Sequence, residues 1–167
     1  PLKIDISTGD VITPCEISFS YQLMFENRTI PLLAYPPETV LAEKLETILS
    51  RGEANTRLRD FYDVYILQRE DFVVTPDALC HALLATCRKR GHEDLLHTYA
   101  SILDRVRQSD TMRTQWMKYQ SDFDYAAGIT WDTVLDTVET LCMKTLDDHA
   151  FGDELPQEKS QFEMHLL

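Results

Sequence analysis

Lys44, Asp60 and Asp63 have the side-chain types that handle phosphate, and they stand on two successive helical segments. At about 100° per residue, Val40, Lys44, Ile48, Leu41, Leu45 and Leu49 share one arc of about 180°. Lys44 lies inside this apolar arc, so it must snorkel to water, meet a carboxylate, or reach into a cleft that holds an anion. Glu43 and Glu46 fall on the opposite face, which is expected to be wet. In the next segment Leu58, Phe61, Tyr62 and Tyr65 cluster on one side and Asp60 and Asp63 stand on the other. Arg59 precedes Asp63 by four residues, the spacing of a same-helix ion pair. The two acids read either as a solvated face tied by an arginine or as partners of Lys44 in one cleft. There the lysine would neutralise phosphate while a carboxylate holds Mg²⁺ or orients an attacking hydroxyl. Asp5, on an alternating strand with Lys3 and Ile4, is either a solvated edge charge or a metal ligand at the rim of a sheet.

Other chemistry is weaker. Ser7-Thr8-Gly9-Asp10 is a small polar loop without the GxxxxGK[ST] pattern of a Walker-type phosphate loop. His81, His92, His97, His149 and His165 have no HExxH-like spacing, and Cys15, Cys80, Cys87 and Cys142 form no CxxC pair, so buried reduced thiols are expected. Asp122-Phe123-Asp124 is the one Asp-x-Asp, and it reads as a surface loop. Between residues 88 and 118 the charge turns positive: Arg88, Lys89, Arg90, Arg105, Arg107, Arg113 and Lys118 oppose Glu93, Asp94, Asp104 and Asp110. With Trp116 and Tyr119 beside it, this stretch is either a patch for an RNA backbone with an aromatic for stacking or an ordinary mixed helical surface.

The elements that must position these groups change character near Pro36-Pro37. Before it, Leu2–Ile6, Ile17–Phe25 and Ile30–Tyr35 carry strand signals, with a tight turn expected at Asn27-Arg28. After it the period is helical, with helices expected over 37–51, 56–69, 76–90, 92–107, 110–120 and 130–147. Strands followed by helices indicate an α+β fold. The expected organisation is a core portion over 1–70, a helical region over 71–150 and an acidic tail over 151–167.

The 167 residues suffice for one domain, and 44% apolar with 26% charged residues is ordinary globular composition. A net charge of −12 excludes a protein whose whole surface grips nucleic acid. No apolar run approaches the ~20 residues that span a bilayer, and no leader is visible, so a cytoplasmic protein is expected. The chain opens on Pro1 directly into a strand, which reads as a fragment.

Three runs in order are specific. Lys3-Ile4-Asp5-Ile6-Ser7-Thr8-Gly9-Asp10-Val11-Ile12-Thr13-Pro14, then Tyr35-Pro36-Pro37-Glu38-Thr39-Val40-Leu41-Ala42-Glu43-Lys44-Leu45, then Asn55-Thr56-Arg57-Leu58-Arg59-Asp60-Phe61-Tyr62-Asp63-Val64-Tyr65 resemble the AbiEii/AbiGii toxin family of nucleotidyltransferases. Trp116-x-x-Tyr119 and Phe123-x-Tyr125-Ala126 are similar to that family's helical C-terminal part. The resemblance implies the remnant of a polymerase-β-like minimal nucleotidyltransferase sheet followed by a helical region. It implies metal-dependent transfer of a nucleoside monophosphate from an NTP to an acceptor such as tRNA, in a toxin-antitoxin or abortive-infection phage-defence system with a cognate antitoxin. Carried over, Asp5 is similar to the third acid of the polymerase-like set and a Mg²⁺ ligand. Lys44 is similar to the phosphate-contacting lysine, Asp60 and Asp63 to the acids of the last motif, and Arg59 to a residue that orients them at the nucleotide.

The family's first motif, a Gly-Ser or Gly-Gly turn followed by Asp-x-Asp or Asp-x-Glu, does not precede Asp5 in this sequence. The chain alone is therefore expected to be inactive, with catalysis a property of the full-length protein. Two classes stay open: part of a nucleotidyltransferase toxin, or a non-catalytic helical module that binds an antitoxin or another protein partner.

Overall fold

The computed structural model describes residues 9–69 and 74–147, so Asp5, the expected first strand and the tail over 151–167 lie outside the described residues. Two strands, β1 (Ile17–Gln22) and β2 (Thr29–Ala34), precede six helices: α1 (Pro37–Arg51), α2 (Leu58–Arg69), α3 (Pro76–Arg90), α4 (Leu95–Gln108), α5 (Asp110–Asp122) and α6 (Trp131–Leu146). The order agrees with α+β, as a mainly helical protein with a small two-stranded sheet.

The strands pair antiparallel with Ile17 opposite Ala34 and Gln22 opposite Thr29. The Leu23 amide donates to the Arg28 carbonyl at 3.0 Å, so the chain reverses through Met24–Asn27 instead of a tight turn at Asn27-Arg28. Period-two alternation puts Ile17, Phe19 and Tyr21 on one face with Ile30, Leu32 and Ala34. Phe19, at 49% exposure, lies open, as do Ile17, Tyr21 and Leu32. The segment before β1 is tied to α1 by Thr39, whose hydroxyl accepts from the Thr13 amide and donates to the Thr13 carbonyl, both at 2.9 Å.

Helix boundaries follow their caps. Prolines open α1 and α3, and the Thr75 hydroxyl caps α3 by accepting from the Ala78 amide. Gly91 ends α3 at φ +71°, the left-handed position where a Cβ is costly. The expected start of α4 at 92 moves to Leu95 because the His92 amide bonds back to the Cys87 carbonyl. Leu45, Ile48, Phe61, Leu83, Val134 and Val138 belong to a single apolar cluster fed by residues on both sides of the expected division at 70. Cys80, Cys87 and Cys142 are buried thiols, and burial pushes those of Cys87 and Cys142 up to about 12. Cys15 departs from the expectation and is exposed.

Helix α1 overturns the single wet face expected for Glu43 and Glu46. Its neighbours are α2, α3 and α4, so the side opposite the apolar arc is also covered. Glu46 is 2% exposed, meets Arg90 Nη1 through Oε2, and has Oε1 2.6 Å from His92 Nδ1. Glu43 is partly buried 3.7 Å from Arg90 Nη2, and burial first, then the Asp10 carboxylate, hold its carboxyl above the ordinary range. Arg90 thus ties the end of α3 to the middle of α1. Arg90→Ala leaves a buried carboxylate short of its main counter-charge and should lower stability by about 2 kcal/mol. Arg88→Ala, which loses only a surface pair with Glu93 at 3.1 Å, should change it by less than about 0.5 kcal/mol. Chemical denaturation of the two variants checks this, and equal losses would contradict the assignment.

Candidate functional site

Asn55 sets up α2. It is fully buried, and its Oδ1 accepts from the Arg57 amide at 2.7 Å, closing a turn that aims the helix across α1. Phe61 and Val64 then enter the core, and the same approach turns Asp60 toward α1 instead of toward solvent. The alternative of a solvated acidic face is thereby corrected: Asp60 is 4% exposed.

Lys44 meets both acids. Its Nζ donates to Asp63 Oδ2 at 2.6 Å and to Asp60 Oδ1 at 3.4 Å, and its side chain is only 20% exposed. Of the three routes open to a lysine on an apolar arc, it takes the carboxylate. Arg59 Nε lies 3.7 Å from Asp63 Oδ2, at the spacing expected. Arg57, not among the expected site residues although it stands three residues before Asp60, places Nε 3.1 Å from Asp60 Oδ2. That approach lacks hydrogen-bond alignment, and Oδ2 has no hydrogen-bond partner. Three cations therefore face two carboxylates, and the surplus charge sits on the exposed guanidiniums. Such an arrangement draws an anion to the outer side while the two acids, Asp60 buried and Asp63 partly exposed, hold the lysine in place.

A divalent cation fits these residues poorly. No group of three or more His, Cys, Asp or Glu side chains converges among the described residues, and Lys44 already engages both aspartates. A depression of about 410 Å³ lies between α2 and α6 around Gln68, Asp136 and Lys144, away from this cluster.

The basic stretch is largely spoken for. Arg90 is held by Glu46 and Glu43, and Arg107 by Asp136 at 2.7 Å and Glu139 at 2.5 Å. Arg113 meets Asp132 at 3.1 Å and Arg88 meets Glu93. Lys89 borders a small cleft with Asp10 and Glu43, and Arg105 is exposed on α4. Trp116, expected beside that patch as a stacking aromatic, is 1% exposed and donates its indole N–H to the Ile129 carbonyl at 2.8 Å. Asp122 and Asp124 are exposed as expected, but the expected loop is corrected: Asp122 ends α5 and Asp124 opens a 3-10 turn over Asp124–Ala126.

Lys44→Met strands Asp60 in the interior and should cost about 2 kcal/mol; adding Asp60→Asn should recover part of it. A double-mutant cycle by chemical denaturation tests the pairing, and additivity within about 0.5 kcal/mol would rule it out.

The profile of a family described as "Nucleotidyl transferase AbiEii toxin, Type IV TA system" matches residues 1–137. Comparison with curated proteins and with solved structures finds no match. No helix among the described residues is long and apolar enough to cross a membrane.

Proposed function

The chain belongs to the AbiEii nucleotidyl transferase toxin family, and on that footing we propose that the Lys44 cluster receives the phosphates of an NTP. The observation that carries the proposal is the partly buried Lys44–Asp60–Asp63 group with the exposed Arg57 and Arg59 beside it. Two carboxylates orient the lysine, and the arginines extend positive charge outward, where an entering triphosphate meets it. In the proposed reaction an acceptor hydroxyl, that of tRNA, attacks the α-phosphorus in line. The new acceptor O–P bond forms as the bond to the β-phosphate oxygen breaks and pyrophosphate leaves. Lys44 and Arg59 would offset charge on the phosphate oxygens, and an aspartate released by the entering phosphate could take up the hydroxyl proton. Mg²⁺ enters the proposal only through Asp5, because the described residues offer it no cluster. The family implies an antitoxin as protein partner.

Arg59 is the residue to vary, because its side chain is 76% exposed and its loss spares the core. Arg59→Ala should weaken NTP binding roughly fivefold, read by isothermal titration, with the melting temperature nearly unchanged. Labelled NTP with Mg²⁺ and total tRNA tests transfer by the full-length protein. Absence of both NTP binding by the chain and tRNA labelling by the full-length protein would sink the proposal.

A further inference from the structure

Beside the charged cluster, the aromatic side chains form a chain of ring contacts from the core to the surface. Phe61 packs on Trp131 with ring centres 5.1 Å apart, Trp131 on Trp116 at 5.8 Å, and Trp116 stacks on Tyr119 at 5.4 Å and 24°. At the outer end Tyr119 meets Phe123 at 4.8 Å, Phe123 stacks on Tyr125 at 5.4 Å and 29°, and Tyr125 packs on Tyr62 at 4.8 Å. The outer rings are open to solvent: Phe123 is 42% exposed and Tyr125 51%. They are also held, since the Tyr119 and Tyr125 hydroxyls lie 3.0 Å apart and the Tyr62 hydroxyl reaches the Tyr125 carbonyl at 3.5 Å.

This aromatic end adjoins the cationic one. Tyr62 is next to Asp63 on α2 and one helical turn beyond Arg59. Burial first, then the bond to Tyr125, raise the Tyr119 hydroxyl above its ordinary value, and the Asp63 and Arg59 charges also act on it. Rigid exposed rings next to guanidiniums make a two-part surface, one part for a planar ring and one for phosphate. Exposed aromatic rings fixed in place lose little freedom when a ligand stacks on them.

We infer that Tyr125 and Phe123 form a stacking platform for a nucleobase whose phosphate lies toward Arg59 and Arg57. The inference rests on the phosphate-site reading above and adds the ligand's other half. The base could belong to the free nucleotide or to the acceptor RNA, and the two sources share this chemistry.

Isothermal titration of the 167-residue chain with ATP, with ribose 5-triphosphate and with a hexa-adenylate RNA separates the cases, using Tyr125→Leu and Tyr125→Trp. Leucine keeps apolar packing without a π face, whereas tryptophan keeps the face. The expected result is that Tyr125→Leu weakens ATP or hexa-adenylate binding roughly tenfold and leaves ribose 5-triphosphate unchanged, while Tyr125→Trp retains wild-type affinity. Dependence in the ATP arm assigns the platform to the free nucleotide, and dependence in the hexa-adenylate arm assigns it to RNA. If ribose 5-triphosphate and ATP bind equally and leucine changes nothing, the platform is overturned while the phosphate site stands. If ribose 5-triphosphate does not bind but hexa-adenylate binding falls with leucine, the platform stands and the phosphate site fails. Equal losses with leucine and tryptophan, or no binding of any probe, also overturn the platform. Phe123→Leu and Phe123→Trp provide the same comparison should a Tyr125 variant fail to fold.

Discussion

Helix α1 is covered on more than one flank, and each flank carries a charge that has to be neutralised in place. Lys44 faces α2 and Glu46 faces α3, two residues apart on the same helix. A buried charge with no partner costs more than most apolar contacts return, so the positions of the neighbouring helices are set by where their counter-charges must be. Asp60 and Asp63 register α2 against α1, and Arg90 with His92 registers the end of α3. The apolar cluster fills the space between, but apolar contact alone has no direction and would tolerate a helix slid or turned by a residue.

The same fact explains what could be read from the sequence and what could not. Lys44 was legible because a cation within an apolar arc has few physical outcomes, and the motif on α2 supplied the acids. The ends of α1 and α3 were legible from Pro37, Thr75-Pro76 and Gly91, which act locally. Glu46 was not, because a helical wheel assumes one dry side, an assumption suited to a helix on a surface and unsuited to one wedged among three others. The pairing of most arginines in the stretch over 88–118 was hidden for a related reason. Its balancing acids, Glu43, Glu46, Asp132, Asp136 and Glu139, come from α1 and α6, far away in the chain. Trp116 carried a weaker clue: a tryptophan with an apolar residue four positions before it, at Met112, belongs to a buried stripe, and its N–H found the carbonyl of Ile129.

Lys44, Asp60 and Asp63 therefore serve structure and candidate chemistry with the same atoms. Their pairing makes α1 and α2 a unit, and the two exposed arginines stand at the mouth of that unit. A loss of activity on changing the lysine would mix a missing phosphate contact with a loosened helix pair. The exposed Arg59 separates the two, since its loss leaves the pairing of Lys44 with both aspartates in place.

The β1–β2 hairpin bears on a different property. Its apolar face and both strand edges are open among the described residues, with Phe19, Tyr21 and Leu32 presented together. A net charge of −12 repels copies of the chain at long range, but within a Debye length the encounter is decided by what the touching surfaces carry. On this ribbon the touching surface is hydrocarbon beside unpaired backbone amides and carbonyls, the features that let strands add to one another. Among the described residues, these twelve strand positions therefore carry the features most suited to association, whatever the overall acidity. Added salt thins the repulsion and leaves such a ribbon unchanged.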